Sequence, residues 1–102
     1  MTERTYRSFK DFYPFYLSEH ANVTSRRLHF AGTSIALALI AAAFATRNLW
    51  LLLVALVQGY LFAWIGHFFF EHNRPATFRY PLYSLLGDFV MYADVLRGRI
   101  RF

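Results

Sequence analysis

Four histidines are the side chains of this 102-residue sequence best able to do chemistry: His20, His29, His67 and His72. Their spacing acquires meaning from two apolar runs. Leu28 to Thr46 carries no formal charge, nor does Asn48 to Phe70, and only Arg47 separates them. His29 lies one residue into the first run and His67 near the end of the second. If the runs pair as an antiparallel helical hairpin, both histidines reach the same depth on the same side. His20 precedes that level and His72 follows it, so all four converge. Imidazoles held together at low dielectric repel if protonated, and each nitrogen needs a partner. A divalent metal satisfies several at once, and imidazole suits iron, zinc and copper. Glu71, four residues after His67 on one helical face, is a further ligand candidate, or a group that orients a ligating imidazole. Asp88 lies in a third apolar stretch and could approach the same place, and an ionisable group there is a functional candidate by default. With Arg74, these two carboxylates are the candidate catalytic side chains. Each has a blander role open to it: Glu71 could pair with Arg74, and Asp88 with Arg79. A histidine set with one carboxylate is compatible with non-haem iron that keeps positions open for oxygen and substrate, although spacing alone does not choose between iron and zinc.

The elements that must position these residues follow from the same pattern. At about 1.5 Å per residue, either run is long enough to cross a hydrocarbon core about 30 Å thick. A break as short as Arg47-Asn48 fits a tight helical hairpin. The expected fold is all-α: a small integral-membrane helical protein, residues 1–102 forming one membrane-embedded domain. Its transmembrane helices cover about 28–46 and 49–71, and a third long helix covers about 81–96, opened by Pro81 in its first turn. That helix carries Asp88 and Asp94, so it is expected to be re-entrant or packed along the hairpin. Before the hairpin, Tyr6 to Leu17 interleaves aromatic and charged residues, as in an amphipathic helix lying in the interface and bent or broken near Pro14. His29 shares a face with Gly32, Thr33, Ala36 and Ala43, and His67 with Ala63, Tyr60 and Gly59. Small residues let helices approach closely in lipid, so each histidine sits on the seam between the two runs. Such faces also allow for a homodimer. The competing fold is a very apolar soluble bundle, against which neither run shows a continuous charged face.

Composition narrows the chemistry. Charged residues make up 17% of the chain, against about 25% in an ordinary soluble domain, and they concentrate at its ends. The net charge of +5 and pI near 10.0 therefore read as topology. Arg26, Arg27, Arg74 and Arg79 flank the histidine end of the hairpin, and the turn holds only Arg47, so the termini and the histidines are expected on the cytoplasmic side. Arg97, Arg99 and Arg101 then read as an anchor to anionic headgroups. No basic stripe interleaved with exposed aromatics supports nucleic-acid binding. The absence of cysteine excludes disulfides, thiolate metal sites and a cysteine nucleophile. No phosphate-binding loop, H-E-x-x-H or G-x-S-x-G pattern is present.

Several blocks resemble one family. Phe15-Tyr16-Leu17-Ser18-Glu19-His20, Arg27-Leu28-His29-Phe30-Ala31-Gly32-Thr33, Trp64-Ile65-Gly66-His67-Phe68-Phe69-Phe70-Glu71 and Asn73-Arg74-Pro75-Ala76-Thr77-Phe78 resemble the 2-hydroxy fatty acid dioxygenase family. Tyr80-Pro81-Leu82-Tyr83-Ser84-Leu85-Leu86-Gly87-Asp88 resembles the block that follows in its short bacterial members. The resemblance implies a membrane-embedded, iron(II)-dependent oxygenase that shortens a 2-hydroxy fatty acid by one carbon with dioxygen, the α-oxidation of the family's fungal member. His20, His29 and His67 match the family's histidine positions and inherit the proposed ligand role. Glu71, Arg74, Pro75 and Ala76 match the segment just after. His72 departs from the longer eukaryotic members, which tend to carry lysine there. The membrane would be the bacterial inner membrane, or the endoplasmic reticulum in a eukaryote. On this basis iron(II) is expected to hold the substrate's hydroxyl and carboxylate, with Arg74 or Arg27 neutralising charge and the acyl tail along the apolar hairpin. Two other readings stay open: a non-catalytic membrane assembly or anchoring module with structural histidines, and a zinc enzyme of different chemistry.

Overall fold

The computed structural model describes residues 6–102, and every regular element among them is helical. Helix α1 (Phe9–Ser18) is capped by Ser8, whose Oγ accepts the Asp11 N–H at 3.2 Å, and Asp11 stands in the first turn, where negative charge suits the helix dipole. Of the bend or break expected near Pro14, the break is absent: α1 runs through the proline as one helix. Proline removes one backbone hydrogen bond, and packing of the aromatic residues on either side holds the helix together.

Helix α2 (Val23–Thr46) starts five residues before the expected Leu28, because Asn22 Oδ1 accepts the Ser25 N–H at 3.1 Å and starts the helix on its polar turn. Arg47 ends it in the left-handed conformation, φ 56°. Asn48 Oδ1 then accepts the Trp50 N–H at 3.2 Å, so a three-residue turn returns the chain as α3 (Trp50–Ile65). The last part of α3 widens into a π-helical turn, Gly66–Glu71, and His72 leaves it at φ 57°. A short 3-10 turn (Ala76–Phe78) leads to α4 (Pro81–Leu96), with Pro81 in its first turn.

Small residues close the α2–α3 seam. Gly32, Ala43, Ala55, Ala63 and Gly66 are all buried. A methyl on Gly32 would come within 3.0 Å of Phe62 Cβ, and one on Gly66 within 2.7 Å of Ser25 Oγ. Gln58 Nε2 donates across the seam to the Gly32 carbonyl at 2.9 Å. Val23–Thr46 and Trp50–Glu71 are long and apolar enough to cross a membrane, and the molecule measures 48 × 26 × 26 Å.

The aromatic residues of α1, expected as an interface belt, are engaged by α4 instead. Phe12, Tyr16 and Met91 are the centre of a cluster that gathers Phe9, Tyr13, Tyr80 and Tyr83. Tyr13 OH donates to Asp94 Oδ2 at 2.7 Å and Tyr16 OH to Asp88. The Tyr16 ring crosses α4 at Gly87, where a Cβ would lie 2.8 Å from Tyr16 Cδ2. Helices α1 and α4 thus pack as a pair across the histidine end of the hairpin.

Candidate metal centre

Three elements each deliver one histidine. His20 follows α1 by two residues, His29 stands in the second turn of α2, and His67 stands in the π-helical turn. All three are buried, with 1%, 5% and 3% of their surface exposed. Their ring centroids are 4.3, 4.6 and 5.0 Å apart, at interplanar angles of 84°, 75° and 87°. One ring nitrogen from each lies within 4.8 Å of the other two.

The opposite nitrogen is held by a hydrogen bond in two of the rings and faces a carboxylate in the third. His20 Nδ1–H donates to the Tyr16 carbonyl at 2.6 Å. His67 Nδ1 faces Asn73 Oδ1 at 2.6 Å, and Asn73 Nδ2 donates to the Glu19 carbonyl at 3.1 Å and to Glu19 Oε2 at 3.0 Å. Those two acceptors orient the Asn73 amide, so its oxygen faces His67 and Nδ1 carries the proton. His29 Nδ1 lies 3.6 Å from Asp88 Oδ1. This leaves the Nε2 lone pairs for the interior. His20 Nε2 and His29 Nε2 are buried and have no hydrogen-bond partner among the described residues. A buried acceptor left unpaired costs about 1–3 kcal/mol, a cost that a bound metal would remove at both atoms.

The electrostatics agree. Burial, and after it the rings of His29 and His67, hold the His20 imidazolium well below the usual histidine range. A neutral imidazole is the ligating form. Tyr16 stacks on His20 with centroids 4.1 Å apart, while burial and then the charge of Asp88 push its phenol up. Three imidazoles with separate outer partners are a donor set that fits a divalent transition metal.

The structure leaves three of the expected site residues outside this group. His72 is exposed in its left-handed turn. Glu71 accepts the Asn22 N–H at 2.5 Å and so ties the end of the hairpin to the start of α2. Arg74 is exposed, its guanidinium over the Phe78 ring. Arg27 lies over Phe102, and Arg26 donates to the carbonyls of His20, Ala21 and Arg101. Asp88 does come to the histidines, beside His29. Tyr16, Asn73 and Glu19 were missed by sequence reasoning. Tyr16 precedes His20 by one helical repeat, a signal that could have found it. Asn73 follows a π-helical turn and a chain reversal, so no helical spacing points to it.

A cavity of about 270 Å³ opens from this centre between α2, α3 and the first half of α4. His29 and Asp88 line one end, Ile40 and Leu52 the other, and Gly32, Ala36, Gly59 and Ala63 line the stretch between.

No curated protein and no solved structure matches this chain significantly. The family model described as 2-hydroxy-palmitic acid dioxygenase Mpo1-like matches residues 6–100, nearly the whole sequence and all three clustered histidines. The chain therefore belongs to the Mpo1-like 2-hydroxy-palmitic acid dioxygenase family.

Proposed function

We propose that this single domain is an integral-membrane, iron(II)-dependent dioxygenase that shortens 2-hydroxy fatty acids by one carbon. The observation that carries the reading is the trio of buried imidazoles, two with orphaned Nε2 atoms, at the head of an apolar cavity. The family's name supplies the reaction class and the acyl substrate.

His20, His29 and His67 would hold the metal. When bound, iron(II) supplies the redox chemistry that makes dioxygen reactive beside the C1–C2 bond. The residues of the chain do the rest. The Tyr16 carbonyl and Asn73 hold the Nδ1 protons of His20 and His67 in place, and Asp88 faces the same nitrogen of His29, so that the rings can present their Nε2 lone pairs. Tyr16 OH supports the Asp88 carboxylate. Burial of the rings excludes water from the reacting carbon. Glu71, Arg74 and His72 are assigned to the rim, where Arg74 could meet an arriving carboxylate.

We assign α2 and α3 to the bilayer. Only 17% and 22% of their most apolar stretches are buried, whereas the core helix of a soluble domain hides most of such a surface. The arginines at the histidine end put that end, and both termini, on the cytoplasmic side.

A second reading, a zinc enzyme of different chemistry, rests on the same three imidazoles, which also make an open zinc site. Metal analysis with oxygen uptake divides the two. Protein purified in mild detergent and loaded with iron(II) should consume oxygen on addition of 2-hydroxyhexadecanoic acid and not of hexadecanoic acid. Tightly bound zinc with no oxygen uptake would overturn the dioxygenase reading.

A further inference from the structure

The cavity beside the histidines runs between α2 and α3, and its two ends are lined differently. Its head holds His29, whose buried Nε2 has no partner, and Asp88. Its far end holds Ile40 on α2 and Leu52 on α3. One turn beyond Ile40, Ala43 is fully buried, where the hairpin closes. Between the ends the lining offers small residues, and Gly59 marks where space is left. A Cβ built there meets nothing within 4 Å, unlike one at Gly32, which lies 3.0 Å from Phe62. The small residues alone would describe a helix seam. The void, and the unpaired imidazole nitrogen at its head, point to an occupant with a polar head and a slender apolar tail.

We infer that this groove is a molecular ruler for the acyl chain, with Ile40 and Leu52 as its stop. The inference rests on the proposed substrate class and adds to it the residues that select chain length. Its scale follows from geometry. From His29 to Ile40 the helix rises about 16 Å at ~1.5 Å per residue. An extended backbone advances about 3.8 Å per three bonds, roughly 1.3 Å per bond, so an all-trans acyl chain covers that distance in about a dozen bonds. With C1 and C2 at the histidines, the preferred acid has on the order of 14 to 16 carbons by the same geometry. Bilayer lipid is the competing occupant, and a groove filled by it would impose no length preference on the acid.

The test uses the full-length protein in mild detergent. Binding is read by competition against a fluorescent acyl probe, and turnover by oxygen uptake after iron(II) loading. The competitors are 2-hydroxydodecanoic, 2-hydroxyhexadecanoic and 2-hydroxyeicosanoic acids, with hexadecanoic acid as a control lacking the hydroxyl. Wild type should favour the middle acid over the two others by at least about tenfold, since the acids differ by four methylenes and even one is worth about that much in a fitted pocket. Gly59→Leu fills the open stretch beneath the head and should abolish that preference, leaving the shortest acid the best bound. Ile40→Ala with Leu52→Ala should move the optimum to the longest acid. Ile40→Phe should move it to the shortest, and serves if Gly59→Leu does not fold. Leu53→Phe, exposed and off the groove, should change nothing. A wild-type profile flat across the three acids, or one indifferent to Gly59→Leu and Ile40→Phe in folded protein, overturns the ruler. If length-dependent binding shifts as expected but no acid supports oxygen uptake, the ruler stands and the dioxygenase reading fails.

Discussion

At the scale of single residues, what distinguishes the three clustered histidines is the variety of their outer partners. A backbone carbonyl holds His20, an amide holds His67 and a carboxylate faces His29. Outer partners of ligating histidines are typically worth 10–100-fold in metal affinity. Asn73→Ala should therefore weaken metal binding by about 10–100-fold while leaving the helical content intact, as read by metal titration and circular dichroism. Asp88→Asn should act in the same direction. His72→Ala should leave metal content unchanged, because its side chain stands in solvent. Retention of full affinity by Asn73→Ala would show that its contact with His67 is incidental.

At the scale of elements, α1 and α4 act as a clamp that carries His20 to the hairpin. Gly87 is where they meet, and a methyl there would sit 2.8 Å from the Tyr16 ring. Gly87→Ala should lower the thermal midpoint, at a cost of about 1–3 kcal/mol for an overpacked contact. It should also release metal more readily, because Tyr16 carries His20 by its carbonyl and its ring. The clamp is also sensitive to alkali. Burial, followed by Asp94 or Asp88, raises the phenols of Tyr13 and Tyr16. In the unfolded chain both ionise near pH 10, while the fold keeps them protonated, so the folded state binds more protons. Stability should consequently fall as pH rises above about 10, and Tyr13→Phe should flatten that slope in an alkaline unfolding series. The two long helices were legible in the sequence, because an uncharged run between arginines has few other meanings, and so was the meeting of His29 and His67. The clamp was not. Aromatic residues in an amphipathic stretch serve an interface or a packed core equally well, and only the tertiary contact of α1 with α4 decides. The bond from the Asn22 N–H to Glu71 was not legible either, because the spacing from His67 was read on an ordinary helix where the backbone widens into a π-helical turn.

At the scale of the whole molecule, the proposed function makes the hairpin both the scaffold of the histidines and the wall of the cavity between α2, α3 and α4. If α2 and α3 span the bilayer as proposed, the histidine end and the turn lie on opposite sides of it. The sequence has no cysteine, so single replacements report cleanly. Asn48→Cys should react with an impermeant thiol reagent from outside the cell, and Gly98→Cys only after the membrane is opened. Equal labelling of both would contradict a spanning hairpin. The central claim is that His20, His29 and His67 hold a redox-active metal, and its most direct test is metal analysis with X-ray absorption on protein purified without oxygen and reconstituted with iron(II). The predicted result is one iron per chain with imidazole nitrogen ligands, lost in His20→Ala, His29→Ala and His67→Ala and kept in His72→Ala. Absence of stoichiometric metal, or iron retained when all three clustered histidines are replaced, would contradict the account.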